Sequence, residues 1–222
     1  MTGIEWQAIW LTVKLAAVSA GILLLLGIPL AWWLANSRSR YKFIVDSLIT
    51  LPLILPPTVL GYYLLVAMAP DAWLGSTWKT LFDSSLVFSF SGLVIGSILY
   101  SLPFVVQPIR DGFKSLDKNL THVAQTMGAS TWQQFRFVIF PLTRPMMITG
   151  TVLGFAHTIG EFGVVLLIGG NIPGETRVLS IALYDYIETM QLDQANQLAA
   201  GMLLFSFLVL LMVNGVSKAK KI

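Results

Sequence analysis

The sequence predicts an all-α integral membrane protein of about five membrane-spanning helices, and three observations predict it. Of 222 residues, 55% are hydrophobic and only 11% charged, with a mean hydropathy of +0.75, a composition that cannot clothe a globular surface in water. Several apolar runs reach the roughly 20 residues needed to cross a hydrocarbon core about 30 Å thick. No run alternates with the period of two that a membrane barrel strand needs, so each must satisfy its backbone polar groups internally, as a helix.

The expected spans are 9–34, 44–69, 86–109, 142–168 and 198–216, within one transmembrane domain of 222 residues. The region ahead of the first span, Met1 to Gln7, has no basic stretch, and Asn36-Ser37-Arg38-Ser39-Arg40 behind it offers no small-residue cleavage site. The run is therefore read as a retained span and not a signal peptide. Cysteine is absent, which excludes disulfides and thiolate metal sites. The net charge of +3 is scattered between apolar runs without a continuous basic face, so no nucleic-acid partner is expected.

Basic residues orient the chain. Arg38, Arg40, Lys42, Arg110, Lys114, Lys118, Arg136, Arg144, Lys218, Lys220 and Lys221 fall on one side, Lys79 and Arg177 on the other, with Lys14 near the mouth of the first span. The positive-inside rule puts the 110–141 loop and the C-terminus in the cytoplasm and the N-terminus outside. Trp6 and Trp10 at one end of the first span, and Trp32 and Trp33 at the other, fit interfacial aromatic belts.

In the second span, Leu51-Pro52-Leu53-Ile54-Leu55-Pro56-Pro57-Thr58 carries three prolines, each removing an N–H and disturbing the carbonyl four residues earlier. The helix must kink or unwind there. Freed carbonyls at membrane depth need a protein neighbour or a water-filled cavity, so the segment is either a pathway wall or a kink packed on a neighbour. Thr58 and Tyr62 follow one turn apart and could line a path. Gly92 and Gly96 in the third span, and Gly150 and Gly154 in the fourth, allow close helix approach within the chain or across a dimer. His157 and Glu161, four residues apart, are the ionisable pair inside the fourth span, and intramembrane ionisable groups are functional candidates. A bare carboxylate repels anions, which favours a structural or gating contact for Glu161, with His157 as a partner, over anion binding.

The 110–141 loop has its own helical pattern. Leu116, Leu120, Val123 and Met127 form an apolar stripe, Gly128 reads as a helix stop ahead of Ala129, and Ser130-Thr131-Trp132-Gln133 as a capping box opening a second helix towards Pro141. Gly169 to Thr176 has the glycine spacing of a phosphate loop, but Glu175 stands where the lysine belongs. No other nucleotide site is visible, so this chain is not expected to hydrolyse a nucleotide itself.

The loop segment His122-Val123-Ala124, Gly128 and Val138-Ile139-Phe140-Pro141 resembles the cytoplasmic coupling loop of ABC importer permeases, with His122 in place of the acid and Val123 in place of the first alanine. Leu51 to Tyr62, Gly160-Glu161-Phe162-Gly163 and Asn171-Ile172-Pro173-Gly174-Glu175-Thr176-Arg177 resemble the membrane subunit of bacterial molybdate importers. That resemblance implies a pore-forming subunit of the bacterial inner membrane, itself no enzyme and holding no cofactor. It also implies alternating access, ATP bound by a dimer of partner ATPases, a second copy of the permease and an extracytoplasmic oxyanion-binding protein. The coupling residues it implies are Leu116, Leu120, Val123, Ala124, Met127, Gly128 and Ala129, and the path or gate residues Pro56, Pro57, Thr58, Tyr62, His157 and Glu161. Sulfate or tungstate is the alternative cargo. An ion-coupled secondary transporter would call for inverted repeats or several buried charges, and a membrane enzyme for a catalytic constellation; none is visible.

Overall fold

The computed structural model describes residues 3–218, and they are helical with no strand among them. Met1, Thr2 and 219–222, with Lys220 and Lys221 of the basic count, lie outside the described residues. The helices are α1 (Gly3–Asn36), α2 (Lys42–Thr50), α3 (Pro57–Met68), α4 (Trp73–Phe82), α5 (Phe90–Lys114), α6 (Lys118–Thr126), α7 (Thr131–Gln134), α8 (Phe140–Gly160), α9 (Gly163–Gly169), α10 (Leu179–Glu188) and α11 (Leu192–Lys218). A short 3₁₀ turn, Leu51–Leu53, follows α2, and a wide π turn, Phe135–Ile139, joins α7 to α8.

Four stretches are long and apolar enough to cross a membrane unaided: Trp6–Asn36, Phe90–Lys114, Thr131–Gly160 and Leu192–Gly215. The fifth is a bent pair, Lys42–Leu53 and Pro57–Met68, which meet at 109°. The bend has a local cause. Pro56 precedes Pro57, whose ring forbids it the helical conformation, and it adopts φ −55°, ψ 134°. Pro57 then starts α3 at a position where its missing N–H costs nothing.

The expected fourth span, 142–168, does not run through. α8 stops at Gly160, Glu161 is extended at φ −73°, ψ 136°, and α9 begins afresh at Gly163. Two groups hold this break. The Glu161 carboxylate accepts the Val164 N–H at 3.0 Å, and the Glu161 carbonyl, freed from helical pairing, accepts the Ser180 hydroxyl at 2.5 Å. Helix α4 is an addition to the expected spans; Gly75 lets it lie against the end of α3, where a Cβ would come within 2.0 Å of the Ala69 carbonyl oxygen.

The apolar interior divides in two along the bundle. Near the end rich in Lys and Arg, Leu23, Ala31 and Leu34 of α1 pack with Ile49 of α2, Val105, Val106, Ile109 and Phe113 of α5, and Met147 of α8. Towards the far end, Leu11 and Leu15 of α1 pack with Leu93 and Val94 of α5, Val164, Val165 and Ile168 of α9, and Ile181 of α10. α1 and α5 run through both cores; spans two and four break between them.

Small residues set the spacing, as expected where lipid removes the hydrophobic drive for helix association. Cβ atoms on Gly150 and Gly154 of α8 would come within 2.8 Å of the Val105 carbonyl oxygen and 2.3 Å of its side chain, so this glycine pair serves an α5–α8 contact inside the chain. Gly92 and Gly96 do not share a partner: the first meets the Leu86 carbonyl and the second Ile168 of α9. α11 is the peripheral span, with Leu203, Leu204, Phe207 and Met212 all exposed, a face suited to lipid. At the basic end, Arg110 of α5 pairs with Asp46 of α2 and with Asp111. At the far end Thr12 of α1 accepts the Leu179 N–H of α10 at 2.8 Å, and Arg177 pairs with Asp185 at 2.7 Å.

Candidate functional site

The two breaks face each other. A Cβ on Gly163 would lie 2.6 Å from that of Pro57, and one on Gly61 would lie 3.1 Å from the Val164 Cα, so α3 and α9 pack backbone to backbone just past their respective breaks. Beside this contact is a cavity of about 580 Å³ lined by Pro57, Thr58, Tyr100, His157, Glu161 and Phe162, among others. Four path candidates from distant parts of the sequence, Pro57, Thr58, His157 and Glu161, therefore share one space. Pro56 and Tyr62 do not line it; Tyr62 is exposed and meets Tyr63 edge-on at 5.6 Å.

His157 is fixed from several sides. Its ring stacks on Phe104 at 3.9 Å and lies 5.0 Å from Tyr100, and Nδ1 is 2.9 Å from the Ser101 hydroxyl. Ser101 in turn is 3.0 Å from Thr158, whose hydroxyl donates to the Gly154 carbonyl. Glu161 is buried, with Oε1 accepting from Val164 and Oε2 lacking a partner among the described residues. The contact anticipated between His157 and Glu161 is thus replaced: each bonds elsewhere, because the helix ends at Gly160 and takes Glu161 off the face that carries His157. Sequence reasoning missed Tyr100, Ser101 and Thr158. Polar groups within otherwise apolar spans were the available signal.

The second site is the loop at the basic end. Asp117 caps α6, accepting the Asn119 N–H at 2.9 Å, so the helix starts after Leu116. Leu116 packs against the basic-end core with Trp32 and Phe113, while Leu120 and Val123 of α6 and Met127 at its C-cap stand exposed. The stripe consequently has two members on the helix and one, Met127, at its C-cap, and Leu116 is an anchor beneath it. Ala124 is half-buried, and its carbonyl accepts the Ala129 N–H at 3.0 Å. Gly128 takes φ +81°, a left-handed turn that a side chain would resist. The Ser130–Gln133 capping box is complete, with Gln133 Oε1 accepting the Ser130 N–H at 2.8 Å and Ser130 accepting the Gln133 N–H at 3.3 Å. Between this loop and the bundle is a cavity of about 600 Å³, walled by Trp32, Phe113, Leu116, Trp132 and Phe135.

The glycine segment after α9 has no phosphate-loop architecture. α9 ends at Gly169, Thr176 donates to the Gly169 carbonyl at 2.7 Å, and the next helix begins only at Leu179.

An all-helical multi-span bundle whose two broken spans meet beside a shared cavity, with a separate amphipathic helix at its basic end, has the build of a transporter permease. The chain belongs to the family of binding-protein-dependent transport system inner membrane components, which matches residues 27–219. It is 51% identical over 206 residues to a molybdenum transport system permease protein ModB of Azotobacter vinelandii, covering 93% of this chain and 91% of that one. Its identity to the Escherichia coli K12 protein of the same name is 39%, over 85% of this chain and 82% of that protein. A probable sulfate transport permease cysT of Zygnema circumcarinatum is 34% identical over 97% of this chain and 74% of its own length. The fold is shared with a bacterial alginate ABC transporter (TM-score 0.77, 17% identity, 99% of this chain and 80% of that one). It is shared also with the MetNI methionine ABC transporter (TM-score 0.71, 15% identity, 99% of both chains).

Proposed function

We propose that this chain forms the transmembrane pathway for molybdate in an ATP-driven importer of the bacterial inner membrane, working by alternating access. The observation that carries the pathway is the convergence of Pro57, Thr58, His157 and Glu161 on one cavity where spans two and four are both broken. Unwound backbone at mid-membrane depth is where transporters form their substrate passages. The choice of molybdate rests on the relatives named as molybdenum permeases.

In this reading ATP is bound and hydrolysed by a dimer of partner ATPases, and this chain supplies no cofactor site. The exposed Leu120 and Val123 of α6 and Met127 at its C-cap, with Ala124, Gly128 and Ala129 shaping the turn behind them, are the ATPase contact. The basic end faces the cytoplasm by the distribution of Lys and Arg, which puts the N-terminus outside. An extracytoplasmic oxyanion-binding protein delivers cargo at the far end, and a second copy of the chain completes the passage.

Uptake of labelled molybdate by membranes holding the assembled transporter, with tungstate and sulfate as competitors, tests the cargo. Sulfate suppressing uptake as strongly as unlabelled molybdate would favour the second reading, a sulfate permease, which the relatives named cysT support. Leu120→Asp combined with Val123→Asp should abolish co-purification with the ATPase, and retained complex with full uptake would remove the coupling assignment.

A further inference from the structure

Proton counting along one chain of hydrogen bonds fixes which face His157 shows to the cavity. The Thr158 hydroxyl has one proton, and it goes to the Gly154 carbonyl at 3.0 Å. In its 3.0 Å contact with Ser101, Thr158 is then the acceptor, so the Ser101 proton is spent there. Ser101 can only accept at its 2.9 Å contact with His157, which puts an N–H on Nδ1. A neutral imidazole has a single N–H, so Nε2 carries a lone pair. Nε2 has no hydrogen-bond partner among the described residues, and His157 lines the cavity, so the nitrogen left to that space is an acceptor. Stacking on Phe104 and the flank of Tyr100 hold the ring in this pose.

Glu161 adds to the effect. Its Oε1 accepts the Val164 N–H and its partnerless Oε2 is shut off from the space, so a carboxylate there repels an anion from behind the wall, by charge and not by contact. The hydroxyls of Thr58 and Tyr100 are the side-chain donors on the wall, and the side chains of Pro57, Phe162, Leu166 and Leu167 are apolar. An oxyanion offers only acceptors to such a surface, and a lone pair facing it, with a carboxylate behind the wall, is a built-in element of rejection.

We propose that His157, held as an acceptor by Ser101 and Thr158, forms with Glu161 a barrier that closes the pathway to anions in the conformation described. The inference rests on the reading of this cavity as part of the pathway. Anions then cross only when the segments around the two breaks move and change what the cavity presents, which prevents passive leakage while the ATPase is idle.

The test is nucleotide-free efflux of molybdate and of sulfate from vesicles containing the permease assembled with its ATPase. His157→Arg with Glu161→Gln should raise anion efflux about tenfold or more, since about 1.4 kcal/mol of repulsion removed is a factor of ten, with glycerol efflux unchanged. Ser101→Ala, which releases Nδ1 without altering the cavity wall, should raise it less. Equal rises for anions and glycerol would mean a damaged wall and overturn the proposal. Unchanged efflux with lost ATP-driven uptake would overturn the barrier and leave the pathway standing, whereas unchanged efflux with unchanged uptake would remove both. If the double variant does not assemble, ¹⁵N-histidine spectra of the assembled His122→Gln protein decide, because only two histidines exist and His157 is then alone. A proton on Nδ1 is expected; a proton on Nε2 overturns the proposal.

Discussion

Helix α5 and the second span both carry prolines, yet one stays a rod and the other folds back on itself. In α5, Pro103 and Pro108 stand five residues apart, and Leu102 and Gln107 before them remain helical. Val105, Val106 and Ile109, all fully buried between α1 and α8, hold the rod together across both sites. In the second span Pro56 and Pro57 are adjacent, so a residue already fixed in φ is also denied helical ψ, and the chain turns through 109°. Spacing decides the outcome, more than the number of prolines.

The largest effect should come from making the rod resemble the break. Gln107→Pro creates a tandem with Pro108 and removes another N–H from the middle of α5, at a cost of roughly 3 kcal/mol or more. The yield of monodisperse protein and its thermal midpoint should fall sharply. A variant of normal stability would show that tandem prolines do not explain the difference. Next in size is Gly163→Ala, whose new Cβ would sit 2.6 Å from that of Pro57 and force the two breaks apart, at about 1 to 3 kcal/mol. Molybdate uptake should fall further than stability does. Gly201→Ala on the lipid-facing α11, where a Cβ meets nothing within 4 Å, is the matched control and should leave both unchanged.

Asp46→Asn weakens the tie between α2 and α5 at the basic end. Arg110 keeps Asp111, and its side chain is only 14% exposed, so the loss should be about 1 to 2 kcal/mol in unfolding measurements. A cycle with Arg110→Ala should show coupling between the two sites; strict additivity would mean that the pair does not hold the half-helix in place. The smallest effect is that of Ser130→Ala, about 1 kcal/mol from the lost cap. Faster amide exchange confined to α7 would register it, and unchanged exchange there would show that the box does not stabilise the helix start.

These contrasts also mark what could be read without coordinates. The break in span two was legible because proline acts on its own neighbours, and Gly128 and the Ser130–Gln133 box were legible for the same reason: their physics is local. The break at Glu161 was not, since a Gly-Glu-Phe-Gly stretch inside an apolar run can continue as helix unless something rewards the interruption. The reward comes from Ser180, nineteen residues away, through its bond to the freed carbonyl. Leu116 fell on the wrong side of a helix start because apolar periodicity carries across Asp117, although an aspartate at that position is itself a capping signal. The setting of His157 depends on Ser101, 56 residues earlier, and no spacing rule reaches that far.

From Thr131 to Gly160 the backbone runs on through the wide turn at Phe135–Ile139 as a single 30-residue rod. At 1.5 Å per residue that is about 45 Å, so a tilt of roughly 10° imposed at one tip sweeps the other through about 8 Å. Such a lever would carry a small displacement near the capping box to His157 as a large one, with no relay of side chains needed between them.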